Sequence, residues 1–68
     1  MVKLHERIKR LRKERGLTQE KLAFKSGLSV KQTINMDQGK ASPSLRSVAK
    51  VAEVLNIELH ELFKGVEL

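Results

Sequence analysis

One glycine between two helix-starting residues constrains this chain most. It lies in the stretch Leu17 to Lys40, LTQEKLAFKSGLSVKQTINMDQGK. Thr18 is a good N-cap, because its hydroxyl can accept a backbone N–H at a helix start, and Gln19 to Lys25 contains strong helix formers. Gly27 breaks the pattern where a residue of positive φ closes a first helix. Ser29 is a second N-cap with Gln32 three residues on, the spacing of a capping box. The second helix is expected to run to about Gln38 and stop at Gly39. Only Ser26 to Ser29 separate the two helices. Ala23 falls one turn after Gln19 and is small enough to let the second helix come close. Leu28 follows the glycine as a core plug, and Met36 lies eight residues beyond it.

A turn of that length between short helices is the geometry of a helix-turn-helix, whose second helix enters the DNA major groove. The residues resemble the Cro/phage-repressor-type (XRE-like) helix-turn-helix family. That family's Q-x-x-L-A-x-x-x-G-(V/L)-S run stands here as Gln19, Leu22, Ala23, Gly27, Leu28 and Ser29. Its trailing (E/D)-x-G-K…P-S-L stands as Asp37, Gly39, Lys40, Pro43, Ser44 and Leu45. The resemblance covers roughly Ile8 to Phe63. It implies an all-α fold, a compact five-helix bundle of the lambda-repressor-like DNA-binding type, with the helix-turn-helix core at 18–38.

The resemblance also assigns roles. Gln19 takes the family's phosphate-contacting position, at a helix start whose free N–H groups suit an anion. Ser29 to Gln38 becomes the recognition helix, with Val30, Lys31, Ile34 and Asn35 outward and positions 33 and 36 inward. The chain departs from the family at 33, where Thr33 replaces the usual Ile or Val and Ile34 follows. Either Thr33 buries its methyl and bonds its hydroxyl to a carbonyl one turn back, or the helix rotates by ~100° and buries Ile34. In the family register an exposed Ile34 can meet a thymine methyl. Gln32 either completes the capping box or reaches DNA. The candidate DNA-contacting set is Thr18, Gln19, Ser29, Val30, Lys31, Gln32, Ile34, Asn35, Lys40 and Ser42, the last two in a loop suited to holding a phosphate. The family also pairs an arginine before the first of these helices with an acid at the end of the recognition helix. Arg12 and Asp37 hold those positions, with Asp one methylene shorter than the usual Glu.

The rest of the chain reads as three further helices. Leu4, Ile8 and Leu11 form one stripe of a helix over residues 3–15 that Gly16 ends. Ser44 caps a fourth helix, whose inward stripe is expected to be Leu45, Val48, Ala49, Ala52 and Leu55, widened by Val51 and Val54. Asn56 can take the left-handed conformation that ends it. Leu59 to Lys64 is expected to form a fifth helix. Leu59, Leu62, Phe63 and Val66, with Leu68 beyond, offer more apolar surface than so small a core needs, which marks a dimer surface. Phe24 stands where the family mostly has a polar residue, and either packs on a neighbouring helix or lies exposed.

Charge is uneven along the chain. Residues 1–15 carry seven basic and two acidic side chains, residues 16–40 four and two, and residues 41–68 three and four, within a net charge of +6. The positive field thus accompanies the helix-turn-helix stretch, as sequence-independent nucleic-acid binding requires, although a soluble solvated face looks the same on charge alone. Without cysteine there is neither a disulfide framework nor a thiolate metal site. No apolar run approaches the ~18 residues of a membrane span, and no signal core follows the basic start. His5 and His60 lie on different helices, and no catalytic triad or glycine-rich phosphate loop is visible.

The expectation is therefore a single domain over residues 1–68 that is a whole cytoplasmic protein, not an enzyme, without cofactor, metal or small-molecule effector. Its partner is double-stranded DNA, read by a homodimer on an inverted-repeat operator to regulate transcription. The alternatives are a protein-interaction module like the coactivator-type relatives, or the antitoxin of a toxin–antitoxin pair.

Overall fold

A computed structural model describes residues 2–40 and 42–67. The described residues form five helices: α1 Leu4–Glu14, α2 Gln19–Ser26, α3 Val30–Gln38, α4 Leu45–Val54 and α5 Leu59–Leu62. Each helix start has a chemical cause. The Thr18 hydroxyl accepts the Lys21 N–H at 3.0 Å, and the Ser44 hydroxyl accepts the Ser47 N–H at 3.1 Å. Glu6 and Glu61 each accept the N–H of the residue just before their helix, Lys3 at 3.2 Å and Glu58 at 3.4 Å. The turn between α2 and α3 closes at Gly27, whose φ of 73° lets the Leu28 N–H reach the Ala23 carbonyl at 3.0 Å. Asn56 does the same after α4 at φ 58°, with the Ile57 N–H on the Ala52 carbonyl.

The helices enclose one apolar core built from Ile8, Leu11, Leu22, Met36, Val48, Val51, Ala52, Leu55 and Leu62. α4 and its C-cap supply Val48, Val51, Ala52 and Leu55, a spacing of i, i+3, i+4, i+7 that makes one stripe. This corrects two expected positions. Leu45 is 66% exposed and Ala49 is also on the surface. At ~100° per residue, Ala49 lies about a quarter turn from Val48 and off the stripe. Leu45 is the first residue of the helix and flanks the stripe, with nothing covering it. Val51, expected only to widen the stripe, sits fully buried within it.

The C-terminal apolar residues also find their places differently. Leu62 is fully buried in the core and Val66 is nearly so, hence neither is a surface on which a second chain could pack. α5 is a single turn rather than a helix to Lys64, and the backbone after it pairs with the start of the chain. The Val2 N–H donates to the Gly65 carbonyl at 3.1 Å, and the Glu67 N–H donates to the Val2 carbonyl at 2.8 Å. That bridge pulls Val66 inward beside Val2. Leu59 and Phe63 pack on the core and remain partly open to solvent. Leu68, counted in the expected dimer surface, lies outside the described residues, as does Ala41 of the loop before α4.

Candidate nucleic-acid interface

The orientation of α3 decides what it can read. Thr33 is 1% exposed, Met36 and Asp37 are buried, and Ile34 stays half-buried at the margin. The Thr33 hydroxyl donates to the Ser29 carbonyl one turn back at 3.0 Å, which satisfies its polar atom inside the bundle. This is the family register; the rotated alternative, with Ile34 inward, does not occur. Val30, Lys31 and Gln32 face solvent, and Asn35 is half-exposed one turn after Lys31.

An ion pair holds that orientation. Arg12 on α1 meets Asp37 at the end of α3 in a two-pronged contact. Its Nε donates to Oδ1 at 3.3 Å and its Nη2 to Oδ2 at 2.9 Å. Nη1 donates to the Leu17 carbonyl at 2.7 Å, just before α2 begins. Arg12 is 8% exposed and Asp37 2%. The Gln19 amide, from the first turn of α2, donates to the same carboxylate at 3.2 Å. Three helices are thus fixed by one carboxylate. The shorter side chain of Asp does not prevent the contact.

Several candidate residues are therefore engaged internally. Gln19, expected to contact phosphate, has one amide N–H on Asp37. The Thr18 hydroxyl caps α2. Ser29 and Gln32 form a complete capping box, with the Gln32 N–H on the Ser29 hydroxyl at 3.0 Å and the Ser29 N–H on the Gln32 side-chain oxygen at 2.9 Å. Lys31, Asn35, Lys40 and Ser42 form no side-chain hydrogen bond among the described residues, so their polar ends are available to a ligand. Ser29→Ala is expected to cost about 1 kcal/mol of stability, and a thermal melt measures it. The loss should appear without any change in which bases are preferred.

The surroundings of α3 were only partly foreseen. Gln32 and Asn35 open onto a cavity of about 240 Å³ shared with Ser42, Ser44 and Ser47. Lys9, Arg10 and Lys13 of α1 border a shallow groove that ends at Gln38. Arg10 there is paired with Glu14 at 3.2 Å, in an exposed and hence weak contact. Ser47 and Gln38 gave no signal in the sequence beyond being polar. Phe24, left open by the sequence, projects from α2 at 87% exposure. Among the described residues no helix is long and apolar enough to cross a membrane.

A profile of the helix-turn-helix family matches residues 8–62. The HTH-type transcriptional regulator DdrOP3 of Deinococcus deserti is 36% identical over 66 residues, which is 97% of this chain. The chain spans about half (51%) of that regulator's length. Among solved structures, the restriction-modification controller protein C.AhdI from Aeromonas hydrophila superposes with a TM-score of 0.86 and 42% identity. That match covers 91% of this chain and 94% of that one. SinR, described as the master regulator for biofilm formation and solved in complex with DNA, superposes at a TM-score of 0.82 with 31% identity. It covers 88% of this chain and 97% of its own.

Proposed function

The chain belongs to the helix-turn-helix family of transcriptional regulators, and on that premise we propose that it reads double-stranded DNA in sequence, as a homodimer on an inverted repeat. The observation that carries this reading is the pair of exposed Lys31 and half-exposed Asn35. They stand one turn apart on a helix whose opposite face is pinned by Thr33, Met36 and Asp37. Two polar side chains at that spacing enter a groove together. Asn offers the donor and acceptor that adenine presents in complement, and Lys donates to guanine or to a phosphate. Val30 and Ile34 flank them as apolar contacts for thymine methyls. Lys40 and Ser42 grip the sugar–phosphate backbone, with Gln19 contributing its second amide N–H. No step in this function needs a cofactor, a metal or an effector.

The dimer is assigned to Leu59 and Phe63, one turn apart and both partly open to solvent. It would set two recognition helices about 34 Å apart, one turn of DNA. Selection from a random DNA library is expected to enrich an inverted repeat with half-site centres about 10 base pairs apart. Sedimentation at micromolar concentration is expected to give a dimer. A monomer both free and on DNA, together with enrichment of an isolated half-site, would sink the dimeric reading.

A further inference from the structure

The loop that carries Lys40 begins at Gly39, and His5 of α1 lies against that glycine. A Cβ built on Gly39 would stand 2.6 Å from Nδ1 of His5, 2.7 Å from Cε1 and 2.9 Å from Cγ. Three ring atoms nearly equidistant from one point mean that the imidazole covers the glycine like a plate. Gly39 takes a φ of 71°, which favours glycine, and a side chain there would displace the ring. His5 is half-buried and forms no side-chain hydrogen bond among the described residues, so packing alone holds it there. It also walls a cavity of about 350 Å³ together with Gly39, Lys40, Ser42 and Pro43.

We propose that His5 is a positioning residue for the phosphate grip: its ring, stacked on Gly39, fixes the turn from which Lys40 projects. The proposal rests on the DNA-binding reading above. Residues 5 and 39 are the first turn of α1 and the cap of α3, so the contact ties the loop to the bundle at the point where α3 ends. Without the ring, the backbone after Gly39 loses its support on one side. Lys40, a long flexible side chain, then spends less of its time over a phosphate. The ring acts by shape, and its nitrogens need touch nothing.

The test uses the full chain and its selected DNA site, with affinity measured at several salt concentrations. Lys40→Ala is expected to lower the slope of log affinity against log salt by about one unit. At ~0.1 M salt, losing one phosphate contact weakens binding about tenfold. His5→Ala is expected to reproduce both changes, and adding Lys40→Ala to it should weaken binding no further. His5→Phe keeps a flat ring over Gly39 without any nitrogen, and is expected to bind like the parent with an unchanged slope. Because that variant keeps the packing, it answers the question even where His5→Ala folds poorly. His5→Phe behaving like a Lys40→Ala loss would mean that the imidazole nitrogens contact phosphate themselves, which overturns the positioning role. So would an unchanged slope in His5→Ala while Lys40→Ala lowers it. A slope untouched by Lys40→Ala removes the grip itself, and with it both the backbone-contact reading and the proposal.

Discussion

Arg12→Ala is expected to destabilise the fold by about 3–5 kcal/mol, because it leaves a carboxylate buried without its cation. Among the described residues, Asp37 would keep only the Gln19 amide at 3.2 Å. For a chain of 68 residues, at roughly 0.05–0.15 kcal/mol per residue, the total stability is about 3–10 kcal/mol. The loss is therefore large enough to unfold much of the population. Asp37→Ala should cost less, since the stranded guanidinium keeps the Leu17 carbonyl at 2.7 Å and lies nearer to solvent. The double variant should cost clearly less than the sum, as expected for two groups in direct contact. Urea melts of the parent, the two single variants and the double variant measure this coupling. Additive losses below ~1 kcal/mol each would describe an exposed pair and would contradict the buried contact.

The ion pair has a second consequence. It joins the end of α3 to α1 and, through Leu17 and Gln19, to the start of α2. The angle at which α3 leaves the bundle depends on it. DNA affinity should therefore fall in Asp37→Ala even under conditions where that variant remains folded.

How far the sequence can be read depends on the range of the interaction. Thr18, Ser29, Ser44 and Gly27 act on backbone groups within a few residues, and each appears in the structure where its local chemistry puts it. Thr33 belongs with them, since its hydroxyl found a carbonyl four residues back. Arg12 and Asp37 are 25 residues apart and were legible only through the resemblance to a family. The misplacements concern packing between distant segments. The expected α4 stripe includes Leu45 and Ala49; it shares Val48, Ala52 and Leu55 with the observed one, from which it is turned by less than half a residue of helical phase. Leu62 is core that a single-turn helix folds back onto the bundle, and Val66 is drawn in by its bridge to Val2, which leaves no periodic trace in either segment. The contact of His5 with Gly39 is of the same kind. Gln19 shows a further limit: its position was legible, but not that its amide already had a partner.

Asn35→Ala carries the second large effect, and the account stands or falls on it. Asn35 is half-exposed on α3, one turn from Lys31, and has no side-chain hydrogen bond among the described residues. A bidentate contact to adenine is worth about 1–3 kcal/mol of discrimination. Removing it should therefore weaken binding to the selected site by that amount, while binding to unrelated DNA hardly changes. Lys31→Ala should likewise alter base preference, which places both residues on the reading face. The decisive measurement is the affinity of the parent and of Asn35→Ala for the best site and for each single-base variant of it. The predicted result is a parent that prefers one base at one position of each half-site and a variant that no longer distinguishes bases there. An unchanged preference in Asn35→Ala, with the loss of discrimination appearing instead on substitution of Gln32 or Ile34, would contradict the assignment of α3's reading face.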